Sequence, residues 1–544
     1  MIRSLFRKLT FFFWLAPGFL LWASFPPMGE CKDAYLALAP LLWLVRQGDV
    51  RKGVTRWFLN GFLFWFATLA WMPAIVKNGG PWPLVVLGWG VLAAYCALYF
   101  AAFGYLATKM WSWVRTRGYG WRLAALLFAE PVLWAGLELL RSRFFGGFAW
   151  NQLGVVAVNA GFGAPARFGG VFLLSALVIL VNGTLASIAE RMLGPFLAAR
   201  RQPSEGSVAV PSAAVPNWLR SVETVLPFLL VFGVYRLPGG FAEGSASDEH
   251  LKVALVQRNF PCVFDSGPRE NPLVVYSNLL QNVSFLKPDL VVLPESALCE
   301  VGEINDRRGT DRAFARWVMD QAGASAVLAG GGRWTETESF NSAALYTSDS
   351  VQVYDKVHLV PFGEFIPGDK LFPILQRLAP VGSCTPGELR LLDLKGVRLG
   401  VAICYEDTDA AQIRRLAEMG AQVLVFVTND SWFSYSQETV QHAWQATARA
   451  LETGLPVVRV GNSGVTGVVL PDGRASWLIG PGGELVVDGP GTMCDRIAVP
   501  RATGPRTLYV RLGDTPILLA FLLLITAMCV IKYYYEYEKR RYLP

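Results

Sequence analysis

The chain of 544 residues is poor in charged residues and in histidine. Charged residues make up 17% of it and histidine occurs three times, whereas a soluble domain carries roughly 25% charged residues. Its eight cysteines lie far apart, and no CxxC pair or Cys/His cluster offers the spacing of a zinc site. We therefore expect a membrane protein without a bound metal or other cofactor.

Apolar residues are distributed unevenly along the chain. Long apolar runs reach to about Leu237, residues 248–505 resemble an ordinary soluble α/β sequence, and one more apolar run follows. A spanning helix needs about 20 apolar residues, which predicts about eight spans: Leu9–Phe25, Ala34–Leu44, Trp57–Val76, Leu84–Met110, Leu123–Leu140, Val171–Ile188, Val222–Tyr235 and Pro516–Ile531. We thus predict a helical bundle of about seven spans over residues 1–240, a soluble domain over 248–505 and a closing helix over 515–532.

Basic residues indicate how these spans are oriented. Lys and Arg concentrate in alternate connecting segments, around residues 46–56, 109–122, 191–220 and 532–541, and cytoplasmic loops carry such an excess. We expect a multi-pass protein of the bacterial inner (cytoplasmic) membrane, with both termini in the cytoplasm and the soluble domain in the periplasm. Because membrane topology explains the net charge of +7, we do not expect nucleic-acid binding.

The soluble segment alternates short β-rich runs with helical patterns. This alternation favours a layered α/β fold. The predicted strands are Val253–Val256, Leu290–Leu293, Ala326–Ala329, Val397–Ile403, Val423–Val427 and Val465–Leu470, and the predicted helices are Pro272–Leu286, Arg312–Ala322, Ala410–Met419 and Val440–Leu451.

Three chemically active side chains follow short apolar segments of this domain: Glu295, Lys356 and Cys404. Each alone has an ordinary explanation, respectively a turn or helix-capping carboxylate, a surface lysine and a small buried core residue. A thiol with a pKa of about 8.5 needs a base or a cation to react well at neutral pH. The three together therefore predict a nucleophilic site.

At these residues the chain resembles the nitrilase superfamily, and more specifically the bacterial apolipoprotein N-acyltransferases. The matching segments are Leu293–Ser296, Lys356–Pro367, Ile403–Glu406, Thr428–Phe433, Gln441–His442, Leu512–Asp514 and, in the bundle, Glu138–Arg141 and Gly147–Asn151. The chain departs from the family pattern at Asp407–Ala410, at Ser434 in place of Gly and at Ala149 in place of Pro. A tryptophan of the family also has no clear counterpart, and Phe264 is the nearest aromatic residue.

The resemblance implies an α-β-β-α sandwich domain on a bundle of about eight spans. It also implies ping-pong acyl transfer through a thioester on Cys404, with Glu295 as the base and Lys356 at the oxyanion. Further expected roles are support of the site by Glu364, Glu406 and Tyr405, substrate binding by Trp432, Phe433 and Trp150, structural roles for His358 and His442, and mutual pairing of Glu138 and Arg141.

The same resemblance implies the partners. The acyl donor would be a phospholipid, expected to be phosphatidylethanolamine, and the acceptor would be the N-terminal diacylglyceryl-cysteine of an apolipoprotein. We expect a monomer. Two other hypotheses stay open on the residues alone: a membrane-tethered amidase that uses water as the acceptor, and a non-catalytic lipoprotein-binding or transport protein.

Overall fold

The computed structural model describes residues 14–199, 217–237, 246–260, 271–305, 307–368, 374, 383–433, 436–502, 504 and 506–541. Two compact units are present: Met1–Ala70, Gly88–Pro238 and Asp514–Pro544 form one, and Trp71–Leu87 with Gly239–Gly513 form the other. Residue 240, where the predicted bundle ends, lies outside the described residues, as do Phe264, Ser434 and the start of the first predicted span. The predicted domain limits therefore stay predictions.

Helices α1 to α10 precede the soluble domain. Their bounds are Trp14–Ala23, Ala34–Ala37, Ala39–Val45, Val50–Thr68, Trp82–Val114, Tyr119–Ala124, Glu130–Arg141, Leu153–Ala157, Ala166–Ala199 and Asn217–Arg236. Short 3-10 or π-helical turns lie at Met72–Asn78, Ala125–Ala129 and Val158–Phe162. Large aromatic side chains pack inside the bundle, where Trp57 contacts Phe103 and Trp134 at ring-centroid distances of 4.7 and 5.9 Å.

Five helical stretches among the described residues are long and apolar enough to cross a membrane. They are Val50–Asn78, Trp82–Val114, Tyr119–Arg141, Ala166–Leu193 and Thr515–Tyr534. The second predicted span, Ala34–Leu44, consists of two short helices, and the seventh lies in α10, which contains Pro227. Several apolar spans are thus present, and the total of about eight stays a prediction.

The second unit is built on two six-stranded sheets. Strands β1 to β12 are Ala246–Gln257, Leu290–Val292, Ala326–Trp334, Ser339–Thr347, Val351–Asp355, Leu392–Leu394, Val397–Ile403, Val423–Thr428, Val457–Gly461, Gly467–Val469, Ala475–Trp477 and Gly491–Pro500. The first sheet has the order β12-β1-β2-β3-β4-β5, and the second β11-β10-β9-β8-β7-β6. The helices of this unit, α11 to α15, are Pro272–Ser284, Thr310–Ala322, Ala410–Glu418, Glu438–Thr453 and Leu508–Leu512, and the last helix, α16 (Thr515–Arg541), belongs to the first unit.

The hydrophobic core explains how these sheets and helices are layered. One buried cluster joins the facing sides of the two sheets, with Leu290 from the first and Val425 from the second. On the outer faces, α11 and α12 cover the first sheet and α13 and α14 cover the second. This arrangement is an α-β-β-α sandwich, so the nitrilase-type fold predicted for the soluble domain is confirmed.

The candidate chemistry lies at the ends of parallel strands. β1, β2 and β3 run parallel in the first sheet, as do β7, β8 and β9 in the second. Glu295 follows β2, Cys404 follows β7 and Asp430 follows β8. Open α/β sheets place their sites at the carboxyl ends of such strands.

Candidate active site

Glu295 lies in a turn that packs closely against β3. The next residue, Ser296, has a φ of 63°, and a Cβ at Gly330 would lie 2.5 Å from the Glu295 Cα atom. The Glu295 side chain is buried and its Oε1 accepts a hydrogen bond from Asn341 Nδ2 at 2.7 Å. Burial raises the pKa of Glu295, although the charge of Lys356 opposes this. The carboxylate is therefore a stronger base than an exposed one.

Lys356 is the buried cation of the site. It follows β5, is 1% exposed, and its Nζ donates to Glu364 Oε1 at 2.9 Å. Burial alone would lower the pKa of Lys356, but Glu364 and other nearby anionic groups, Glu295 among them, outweigh burial and raise it. The ammonium group is therefore charged throughout the neutral range.

Asn341, on β4, connects these two residues. Its Nδ2 donates both to Glu295 Oε1 and to Glu364 Oε1, at 2.7 Å in each case. Glu364 also accepts from the backbone N–H of Val360 at 2.8 Å. Burial opposes ionisation of Glu364, but Lys356 and these donors lower its pKa. Glu364 is thus an ionised partner of Lys356; its supporting role in the reaction stays a prediction, and sequence reasoning assigned no role to Asn341.

Cys404 stands on a strained turn at the end of β7. It has a φ of 53° and begins the 3-10 turn Cys404–Thr408. Such a conformation is uncommon for a residue other than glycine and is typical of functional positions. Burial and the charge of Glu295 raise the pKa of the Cys404 thiol, and Lys356 lowers it only in part. The resting group is therefore a thiol that needs a base when it attacks.

Glu406 joins the Lys356 loop to the Cys404 turn. The side chain is fully buried, and its two oxygens accept hydrogen bonds of 2.7 to 3.0 Å from the Tyr354 hydroxyl, the Gln412 amide and the backbone N–H groups of Val357, His358 and Ile403. Tyr354 lies on β5 of the first sheet and Ile403 on β7 of the second. Glu406 therefore connects the loop after β5 to the Cys404 turn, and its predicted supporting role stays a prediction.

Tyr405 and His358 lie beside one another at the site. Their rings meet edge to face at a centroid distance of 5.5 Å, and His358 Nδ1 is 3.5 Å from Asp409 Oδ2. Both residues are half-buried. The structure thus brings Tyr405 next to Cys404 as a neighbour in the turn, and its role in acyl binding stays a prediction.

Trp432 and Phe433 form an aromatic turn after β8, over Asp430–Phe433. The Phe433 ring meets Trp71 edge to face at 4.7 Å, and Asn78 Nδ2 donates to the Trp432 carbonyl at 2.8 Å. Trp71 and Asn78 belong to the segment Trp71–Leu87, which is part of the same compact unit. Sequence reasoning missed this contact, because the segment lies more than 300 residues from the turn.

The bundle residues singled out by the sequence bind a loop of their own unit. Arg141 Nη1 donates to the carbonyls of Phe148 and Trp150 at 2.6 and 3.0 Å, and Glu138 Oε1 accepts from the N–H of Leu153 at 2.9 Å. Both side chains thus bind backbone groups of this loop, and the predicted pairing of Glu138 with Arg141 stays a prediction. Trp150 is buried within the bundle, and its substrate-binding role stays a prediction.

Among the described residues, one group has the spacing of a metal site. Ligand atoms of Asp430, Glu438 and His442 lie within 4.8 Å of one another. However, Arg459 Nη2 is 3.2 Å from Asp430 Oδ2, and a guanidinium at this position disfavours a divalent cation. The buried charges of this cluster already neutralise one another, so the residues present do not fit a metal.

Two family models match successive parts of the chain. The model described as the apolipoprotein N-acyltransferase N-terminal domain matches residues 17–184, and the carbon-nitrogen hydrolase model matches residues 252–493. Among solved structures, a CN-hydrolase superfamily protein from Xanthomonas campestris has 19% identity and a TM-score of 0.35 over 50% of this chain and 97% of its own. An amidase from Nesterenkonia sp. AN1 has the same identity and TM-score, over 49% and 98%.

Curated relatives match almost the whole chain. A protein of Shewanella oneidensis named apolipoprotein N-acyltransferase is 26% identical over 91% of this chain and 90% of its own. A protein of the same name from Geobacter metallireducens is 32% identical over 87% of both chains. By this identity and coverage, the chain belongs to the apolipoprotein N-acyltransferase family.

Proposed function

We propose that this membrane enzyme transfers an acyl chain from a phospholipid to the N-terminal diacylglyceryl-cysteine of apolipoproteins, through a thioester on Cys404. One observation carries the proposal. Asn341 binds Glu295 and Glu364, and Glu364 binds Lys356, so this network holds Glu295 and Lys356 together. The charges of Glu295 and Lys356 both act on Cys404, which stands on a strained turn. A base, a cation and a thiol in this arrangement are the parts that acyl transfer needs.

In the first half of the reaction, Cys404 Sγ attacks the ester carbonyl of the phospholipid. Glu295 accepts the thiol proton as the S–C bond forms, because the resting thiol is protonated. Lys356 stabilises the negative oxygen of the tetrahedral intermediate. When the C–O bond breaks, Glu295 returns the proton to the leaving alkoxide, so that lysophospholipid departs and an acyl thioester remains on Cys404.

In the second half, the α-amino group of the lipoprotein attacks the thioester carbonyl. Glu295 accepts a proton from the attacking amine, and Lys356 again faces the oxyanion. The intermediate collapses to an amide and expels the Cys404 sulfur, which recovers its proton from Glu295. Each half uses the same base and the same cation, which is consistent with a single site for both substrates.

Both substrates carry acyl chains, which gives the apolar helices a function. We propose that the site faces the outer leaflet of the inner membrane, that both termini are cytoplasmic and that phosphatidylethanolamine is the donor of a monomeric enzyme. Trp432, Phe433 and Tyr405 would line the path of the acyl chain next to Cys404. Their half-buried rings are suited to contact with a lipid chain.

The test is a mass measurement on the intact enzyme in phosphatidylethanolamine-containing micelles. We expect an acyl adduct on the wild-type protein that disappears in Cys404→Ala, persists in Cys299→Ala, and is discharged by a diacylated lipopeptide. Cys299 is an exposed cysteine of the same domain and controls for the loss of a thiol. An adduct that clears equally fast without the lipopeptide would identify a hydrolase, and its absence from a folded protein would refute the proposed donor.

A further inference from the structure

Five ionisable side chains are buried together next to the Cys404 turn. None of them exposes more than 3% of its surface: Asp407, Asp430, Glu438, His442 and Arg459. Burying charged groups is strongly unfavourable unless they are paired. The acyl-transfer steps proposed above use none of them, so the cluster needs an explanation of its own.

His442 lies between two carboxylates. Its Nδ1 is 2.9 Å from Asp430 Oδ1, and its Nε2 is 3.0 Å from Asp407 Oδ1. A neutral imidazole has one N–H and would direct a lone pair at one of these carboxylates. Burial lowers the pKa of His442, but Asp407 and Asp430 outweigh burial and raise it well above the usual value. The ring is therefore an imidazolium that pairs with both carboxylates, through a hydrogen bond to Asp430 and an ion-pair contact with Asp407.

Arg459 completes the charge balance of the cluster. Its Nη2 is 3.2 Å from Asp430 Oδ2, and its Nε is 3.8 Å from Asp407 Oδ2. Two cations therefore face the same two carboxylates. Burial and the neighbouring Asp430 raise the pKa of Glu438 well above the usual value, which favours its neutral form and keeps the cluster without net charge.

The two carboxylates belong to the two turns of the site. Asp407 lies in the turn Cys404–Thr408, called the nucleophile turn below, and Asp430 begins the aromatic turn Asp430–Phe433. Asp430 is also fixed by the Thr428 hydroxyl, which donates to Oδ1 at 2.7 Å. A Cβ at Gly464 would lie 2.3 Å from Asp430 Oδ2, so the carboxylate has little room to move. His442 thus connects the nucleophile turn to the aromatic turn.

We infer that His442 is a positioning residue for acyl transfer. As a charged clamp between Asp407 and Asp430, it holds the nucleophile turn and the aromatic turn together. This inference rests on the proposed role of Cys404. In this role His442 does not contact the substrate and takes no part in proton transfer.

The clamp also affects the reactivity of Cys404. Asp430 raises the pKa of both Cys404 and Glu295, and the His442 ring is paired with Asp430 at 2.9 Å. The other groups that act on the Cys404 thiol are Glu295 and Glu364, which raise its pKa, and Lys356, which lowers it. If His442 lost its charge while Asp430 stayed ionised, the thiolate would form less readily, and alkylation of Cys404 would need a higher pH.

The test compares His442→Asn with His442→Gln in the full-length enzyme. The asparagine amide stands near the position of Nδ1 and retains a donor towards Asp430, whereas the glutamine amide stands near Nε2 and retains a donor towards Asp407. Alkylation of Cys404 by iodoacetamide is followed by peptide mass mapping as a function of pH. We expect both variants to shift the profile upward by about one pH unit, which is about a tenfold slower alkylation at a fixed pH. His442→Asn should be the slower of the two, because it releases the nucleophile turn.

The matched control is Asp311→Asn, which neutralises a buried carboxylate elsewhere in the domain that accepts from Asn305 N–H and the Tyr346 hydroxyl. It should lower thermal stability without moving the alkylation profile. Unchanged profiles in both His442 variants would overturn the clamp, and so would a stoichiometric divalent metal in the wild-type protein that is lost in His442→Asn. If Cys404 is alkylated as expected but the wild type transfers no acyl group, the proposed function fails and the clamp stands.

A second measurement needs no variant of the cluster. The chain has three histidines, so the ring nitrogens of His442 are resolvable by NMR of protein labelled with 15N in histidine alone, with substitutions of the other two for assignment. We expect both His442 ring nitrogens to remain protonated at about pH 8, well above the ordinary histidine pKa of about 6.5. A neutral His442 ring at that pH would overturn the inference.

Discussion

Asn341 offers the sharpest test of the acyl-transfer site, because one amide group serves two carboxylates. Its Nδ2 donates at 2.7 Å to both Glu295 and Glu364. Asn341→Leu removes both bonds with little change in volume, and Asn341→Asp replaces the donor by a third carboxylate beside Lys356. The two variants therefore separate the loss of a hydrogen bond from the addition of a charge.

The expected magnitude follows from the bond to Glu295. A hydrogen bond to a charged group contributes about 1.5–3 kcal/mol, and this bond lowers the pKa of Glu295 against the effect of burial. Without it Glu295 is ionised only at higher pH, so the base-dependent rate limb moves upward. Loss of about 1.5–3 kcal/mol from the transition state slows acylation by about 10- to 100-fold. Asn341→Asp should lose more than Asn341→Leu, because the added charge raises the pKa of Glu295 further.

The assay is a single-turnover measurement of the Cys404 acyl adduct by intact mass, repeated across the range from about pH 6 to 9, around the ordinary titration of histidine and cysteine. Thermal midpoints measured in parallel show whether the variants are folded. If Asn341→Asp forms the adduct within about threefold of the wild-type rate (well under the factor for 1.5 kcal/mol) at every pH, the reasoning from this hydrogen-bond network is wrong.

Three further predictions concern other parts of the site. Lys356→Met should slow adduct formation by about 10²- to 10³-fold, as removal of an oxyanion donor commonly does, which stopped-flow release of lysophospholipid would measure. Glu406→Gln places an amide N–H against backbone N–H donors, so the thermal midpoint and the acylation rate should fall together in calorimetry and turnover assays. Burial opposes ionisation of Asp430, but His442 and Arg459 lower its pKa to about 2. The ionised Asp430 therefore contributes fully to stability above its ordinary pKa of 3.8. We expect this contribution to be lost only as the pH falls towards about 2, which acid titration followed by circular dichroism would show.

The layered fold of the soluble domain was predictable where apolar runs are continuous. β7 spans Val397–Ile403 and β8 spans Val423–Thr428, within a residue of the predicted strands, because central parallel strands are buried on both faces. The hairpin of β4 and β5 was missed. Its polar positions, such as Asn341 and Gln352, interrupt the apolar pattern, and only the folded structure shows that they have partners in the site and on β6.

Glu295, Lys356 and Cys404 were predictable as candidate site residues, as were Glu364 and Glu406 beside them, but Asn341 and the cluster around His442 were not. Glu295, Lys356 and Cys404 each follow an apolar segment, which is a local signal. Asn341 and the cluster around His442 act through partners far along the chain, and their sequence surroundings resemble those of ordinary core or surface polar residues. The sequence favoured a structural role for His442, but it did not indicate the two carboxylates that lie 2.9 and 3.0 Å from its ring nitrogens.

The contact between Asn78 and Trp432 bears on how the catalytic domain can be handled in isolation. A shortened protein that starts near residue 248 would keep Glu295, Lys356 and Cys404 but would lose Trp71, which packs on Phe433, and the amide that binds the Trp432 carbonyl. The Phe433 ring would then lose an aromatic partner, and the Trp432 carbonyl would lose a hydrogen-bond donor. The second unit is thus discontinuous in sequence, and a version of it without the bundle would require the segment Trp71–Leu87 to be grafted back by a designed linker.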